Sequence, residues 1–174
     1  MSHRLNRRTF LMGAAGSTAG IALARSASHA ATGDKVRLGI IGVGGRGEGN
    51  WSALTGEEVV MLCDVDLSRV KKATEVFPKA EVVQDFRRVL DRKDIDAVVV
   101  STPDHWHAIP SVWAMETGKH VYCEKPLARS IHECRVMMEA ARRYKRVTQM
   151  GTQIHAGSNY RRVVELVQAG AIGP

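Results

Sequence analysis

Residues 36–47 read Val-Arg-Leu-Gly-Ile-Ile-Gly-Val-Gly-Gly-Arg-Gly, and the fold follows from them. Val36–Val43 is a short, mostly aliphatic run that meets glycine at its end, the signature of a β-strand. Gly42, Gly44 and Gly47 fall at the spacing G-x-G-x-x-G directly behind that strand, and a helix is expected from Gly47 to about Leu54. In that setting the glycines specify a dinucleotide loop. Gly42 permits the tight turn, Gly44 lets the main chain approach a pyrophosphate, and Gly47 lets the helix pack close to the strand. Val43 and Arg46 belong to the same loop and join the glycines as expected cofactor contacts, with main-chain N–H groups meeting the negative charge.

Working outward, Val59–Cys63 reads as a second strand ending at Asp64, 22 residues after Gly42. An acid at that spacing accepts hydrogen bonds from the adenosine ribose hydroxyls and repels a 2′-phosphate, so NAD is favoured. NADP stays possible, because Arg46 and Arg69 can reach a phosphate. Ser68 is the expected cap of a helix to Phe77, stopped by Pro78, followed by a strand at Val82–Gln84 and a helix at Phe86–Arg92. Ala97–Ser101 lacks polar alternation and reads as a strand buried on both faces. Ile109–Thr117 is helical and ends at Gly118, and His120–Cys123 is a strand. Ser130 with Glu133 forms a capping box for a helix to Tyr144. Val147–Met150 is a sixth strand and Asn159–Ala169 a last helix. The alternation predicts an α/β fold with a doubly wound, mostly parallel sheet, the Rossmann fold.

Ligands in such sheets bind beyond the carboxyl ends of the strands. Two segments fall there. Ser101-Thr102-Pro103-Asp104-His105-Trp106-His107 follows the fourth strand. Its H-x-H pair beside Asp104 raises a metal site, but without a further clustered ligand cofactor contact suits it better and no metal is expected. Glu124-Lys125-Pro126 follows the fifth strand. A lysine there can bond substrate or ribose hydroxyls, and partial burial would move it toward acid–base work.

Composition narrows the classes. The 174 residues are 44% hydrophobic and 25% charged, an ordinary globular balance, with a formal charge of +7. Arg4, Arg7, Arg8 and Arg25 supply four of those charges in residues 1–30, which hold no acid. The remaining 21 basic and 18 acidic side chains are mixed, and basic pairs such as Arg87-Arg88 fall on helices, so nucleic-acid binding is not expected. Cys63, Cys123 and Cys134 lack paired spacing and read as free thiols. Residues 1–30 form a basic start with Arg7-Arg8 before Phe10-Leu11, a mild apolar stretch from Leu11 to Ala24, and a small-x-small cut site at Ser28-His29-Ala30, with Ala22-Leu23-Ala24 as a rival. They predict a twin-arginine signal peptide, too short and weakly apolar for a stable membrane anchor, and hence a periplasmic or otherwise exported protein that uses the twin-arginine export machinery as a partner.

Taken in order, GVGGRG, CDVD at Cys63–Asp66, STPDHWH, YCEKP and QMGTQ at Gln149–Gln153 resemble the Gfo/Idh/MocA oxidoreductases, from about Val36 to Pro174. That resemblance implies an NAD(P)-binding Rossmann domain at 36–155, with 156–174 opening a C-terminal α/β substrate domain whose remainder is missing from this chain, and a homo-oligomer for the whole enzyme. It implies that Lys125 is the catalytic lysine, contacting substrate and nicotinamide ribose. Thr102, Pro103, His105, His107 and Glu124 would line the cofactor, and Gln153 and His155 fall near the hinge. The implied activity is hydride transfer to or from a sugar, polyol or related small carbohydrate. Two alternatives stand beside it: an NAD-dependent glycosidase of the same superfamily, in which the place of Lys125 tends not to be Lys, and a non-catalytic dinucleotide-binding module.

Overall fold

The computed structural model describes residues 35–173; the expected signal segment at 1–30 lies outside the described residues. In chain order the elements are β1 (Arg37–Ile41), α1 (Arg46–Trp51), β2 (Glu58–Cys63), α2 (Lys71–Val76), β3 (Glu81–Val83), α3 (Phe86–Asp91), β4 (Ala97–Val100), α4 (Ala108–Glu116), β5 (His120–Glu124), α5 (Ile131–Tyr144), β6 (Thr148–Gly151) and α6 (Ser158–Gln168). The six strands form one sheet in the order β3-β2-β1-β4-β5-β6, and every neighbouring pair is parallel. The chain winds outward from β1 to one edge, then crosses back to β4 and winds to the other. The reversal between β1 and β4 opens a crevice at their carboxyl ends.

Burial on both faces explains the unbroken apolar runs. Val98 and Val100 of β4 join a cluster with Val89, Leu90, Met115 and Met137 from the helices on one side. Val99 points the other way, into a cluster with Ile40, Leu62, Trp51 and Phe77. Each such side chain taken from water contributes about 1.5–3 kcal/mol, and the two clusters hold the sheet between its helical layers. No described helix is long and apolar enough to cross a membrane.

Local boundaries shift for identifiable reasons. β1 stops at Ile41 because Gly42 turns the chain at φ 87°. Ser68 does not cap the second helix. Asp66 instead accepts from the Ser68 amide at 3.0 Å and its hydroxyl at 2.6 Å, and it caps a 3₁₀ turn, Leu67–Val70, that leads into α2, whose own start has no side-chain cap. A carboxylate two positions earlier outcompetes the hydroxyl, which becomes a donor to its Oδ1. The capping box at Ser130 and Glu133 forms as expected. Arg87 and Arg88 lie on the surface, paired with Asp85 and Glu81. α6 leaves Val163, Val164, Leu166 and Val167 exposed.

Candidate functional site

The glycine loop is knitted into the switch point. Gly42 N donates to Cys63 O at 2.8 Å and Ser101 N to Ile41 O at 2.8 Å, so the end of β1 is held between β2 and β4. A Cβ on Gly47 would overlap the carbonyl oxygen of Gly42, and one on Gly42 would meet the Ser101–Thr102 main chain. Only glycine at both positions lets α1 start against the strand end. From α1, Trp51 Nε1 donates to Val43 O at 3.0 Å and Asn50 Nδ2 to Ser101 Oγ at 2.8 Å.

Asp64 does more than the sequence suggests. Its Oδ2 accepts from the amides of Val43 (2.9 Å) and Gly44 (3.1 Å), and its Oδ1 from the Asp66 amide (3.0 Å). The carboxylate that was expected to face a ribose also sets the shape of the loop. Three of its roughly four lone-pair directions are used, which leaves one for a hydroxyl. The amides of Gly45 and Arg46 meet no acceptor among the described residues. They are the donors left for a pyrophosphate, so the loop fits a dinucleotide. Arg69 lies across Gly44 and pairs with Asp66 at 3.1 Å.

Beside the loop runs a cleft of about 470 Å³, lined by Gly42, Gly44, Asp64, Thr102, Pro103 and His105 among others. Half of the twelve expected site residues therefore share one wall. Phe86 and Trp106 close the cleft, their rings 6.0 Å apart edge to face. The sequence reading did not single out either one. An aromatic opening a helix and one inside a polar loop carry no sign that they face each other. Val43 and Gly47 are buried behind the lining. His107 is also buried, its ring bonded to main-chain carbonyls, and it does not line the cleft.

Arg46, Glu124 and Lys125 form a second group. Glu124 is 2% exposed, and its Oε1 accepts from Arg46 Nε at 2.9 Å and from Gln153 Nε2. Its Oε2 accepts from the Lys125 amide at 3.0 Å. Gln153 also donates to the Tyr122 hydroxyl at 2.6 Å. Burial pushes the Glu124 carboxyl up, but the Arg46, Gln153 and Lys125 donors outweigh it, holding the group below the ordinary carboxylate range. Glu124 is thus an ionised hub joining α1, β5 and the segment after β6. Lys125 itself stands exposed, so the burial expected to tune it is not supplied by the described residues. Cys63 lines the cleft, yet burial and then the charges of Asp64 and Asp85 push its thiol up to about 12, which removes it as a nucleophile.

Residues 36–152 match the Gfo/Idh/MocA family described as an oxidoreductase family with an NAD-binding Rossmann fold. The chain belongs to the Gfo/Idh/MocA family. Residues 36–152 are its NAD-binding domain, and the fold is that expected from the glycine loop outward. The alpha-N-acetylgalactosaminidase of Shewanella oneidensis is 32% identical over 98% of this chain and 44% of its own length. Among solved structures, the myo-inositol 2-dehydrogenase of Lactobacillus plantarum superposes with a TM-score of 0.74 at 26% identity, over 80% of this chain and 43% of that one. The scyllo-inositol dehydrogenase of Lactobacillus casei, solved with NAD(H) and scyllo-inositol, gives 0.72 at 25% identity over the same shares. The chain spans less than half the length of these relatives.

Proposed function

We propose that this chain is the cofactor-holding part of an exported NAD-dependent oxidoreductase acting on a secondary hydroxyl of a sugar, polyol or related carbohydrate. The observation that carries the reading is the placement of Lys125 at the carboxyl end of β5, joined through Glu124 and Arg46 to the glycine loop. Bound NAD supplies the hydride acceptor. The chain's own residues do the rest. The amides of Gly45 and Arg46 take the pyrophosphate, and the free lone pair of Asp64 takes a ribose hydroxyl. Lys125 orients the substrate hydroxyl and offers a route for its proton. Glu124, ionised behind it, holds the Lys125 main chain in place.

The test offers the purified enzyme a panel of polyols and sugars with NAD and follows NADH by absorbance. Turnover of at least one supports the reading. NADH binding without turnover on any member refutes it. A second reading, an NAD-dependent glycosidase, is favoured by the 32% identity to the Shewanella alpha-N-acetylgalactosaminidase. It predicts release of the aglycone from aryl glycosides with no net NADH. We extend the proposal to location: residues 1–30 direct export by the twin-arginine route, with the cofactor already held in the folded protein.

A further inference from the structure

His107 belongs to the STPDHWH segment, and the resemblance assigned its ring to the cofactor. The structure gives it other partners. The residue is 1% exposed and sits immediately before α4. Its Nδ1 lies 2.7 Å from Pro126 O and its Nε2 lies 2.7 Å from Thr102 O. Both partners are main-chain carbonyls, which only accept, so the ring N–H is the donor; because His107 itself belongs to the loop after β4, an N–H on Nδ1 bonded to Pro126 O joins that loop to the one after β5. Neither nitrogen is directed into the cleft. The two carbonyls belong to the loops that follow β4 and β5, which are neighbouring parallel strands. One loop brings Thr102 and Pro103 to the cleft wall, and the other carries Lys125 directly before Pro126.

We infer that His107 is a positioning residue: a tie across two loops that fixes Lys125 relative to the cofactor cleft. The inference rests on the proposed role of Lys125 at the nicotinamide end. Lys125 has no side-chain hydrogen bond among the described residues. Its place is therefore set by its main chain, through the Glu124 carboxylate on one side and the carbonyl of Pro126 on the other. Releasing the tie leaves the glycine loop and Asp64 untouched while the lysine loses its register.

The experiment measures affinity of the chain for NADH and for ADP-ribose, which lacks the nicotinamide, by titration calorimetry. Wild type, His107→Phe, His107→Gln, Lys125→Met and the double variant His107→Phe/Lys125→Met are compared. His107→Phe keeps a flat ring of similar size and removes the ring N–H; it weakens NADH about tenfold and ADP-ribose by no more than about threefold, the scale of one lost hydrogen bond. His107→Gln keeps a donor and recovers part of the loss. In the Lys125→Met background His107→Phe costs little more, because the two act on one contact. Equal losses for the two ligands make His107 a general prop of the cleft and overturn the inference. So do fully additive losses in the double variant. If Lys125→Met alone leaves NADH affinity unchanged, the role given to Lys125 fails first and the tie has no function to serve. Amide exchange gives a readout without ligand: in His107→Gln it rises at Lys125 and Leu127 and stays level in β1 and β2, whereas a uniform rise overturns the assignment.

Discussion

Replacing Glu124 with glutamine changes one oxygen of a buried carboxylate to an NH₂ group. Three donors converge on that carboxylate: Arg46 Nε and Gln153 Nε2 on Oε1, and the Lys125 amide on Oε2. The best placement of the new NH₂ faces it toward the single donor on the Oε2 side, leaving the Lys125 amide without an acceptor. An orphaned, partly buried donor costs about 1–3 kcal/mol. The attraction to Arg46 is also lost, and since that guanidinium is half exposed it adds at most about 1 kcal/mol. The expected loss is about 2–3 kcal/mol, or roughly 6–12 °C in the melting midpoint of a domain this size. The pH dependence has a definite sign. Folding lowers the Glu124 pKa below its ordinary 4.5, so its contribution is complete above that value and fades as pH falls through the folded pKa. Thermal unfolding by circular dichroism, without cofactor, at about pH 7 and about pH 3 therefore shows a gap between wild type and Glu124→Gln that narrows in acid. A gap under about 0.5 kcal/mol at neutral pH, the ordinary scatter of surface changes, refutes the hub. A gap that persists in acid refutes its ionised state.

Other outcomes follow from single contacts. Gly47→Ala drives a methyl into the Gly42 carbonyl, destabilises by about 1–3 kcal/mol and weakens NADH at least tenfold by fluorescence titration; affinity within about twofold of wild type contradicts it. Asp64→Asn removes the charge from three loop contacts, so NADH weakens about tenfold while the preference for NADH over NADPH shrinks, and paired titrations that leave the ratio unchanged count against Asp64 as the discriminator. Lys119 is 2% exposed with Nζ on Leu90 O at 2.8 Å, and burial, reinforced by Lys93, pulls its ammonium below the ordinary 10.5. Its folded pKa lies below the unfolded one, so wild type gains stability relative to Lys119→Met as pH climbs toward 10.5, which denaturant unfolding across that window reads. Arg7→Lys/Arg8→Lys keeps the protein in the cytoplasm by fractionation, and unchanged export removes the twin-arginine proposal.

What could be read from the chain followed local rules. Strand, glycine turn and helix are set within a dozen residues, so the order of elements from Val36 to Gln168 was legible, as was the Ser130–Glu133 box. The cap at Asp66 was misplaced onto Ser68 because both residues can cap, and the choice depends on which side chain reaches which amide. Lys119 follows a helix-ending glycine, and nothing in its local sequence marks it as buried. Its burial depends on the Leu90 carbonyl, 29 residues away. His107 was recognised by its motif, but its partners come from two different loops, and no spacing along the chain places a ring between them. Asp64 was found for its reach toward a ribose. Its hold on the glycine loop depends on the pairing of β1 with β2, which brings Asp64 beside residues about 20 positions earlier and which local pattern does not encode.

The Glu124 hub also bears on communication along the chain. Gln153 is the first residue of the turn that follows the sheet, and it shares an oxygen with Arg46 of the glycine loop. A shift of the main chain beyond β6 therefore reaches the phosphate loop in two hydrogen bonds. Binding free energies are reciprocal. Whatever factor the cofactor gains from the Gln153 contact with Glu124, that contact gains when the cofactor binds.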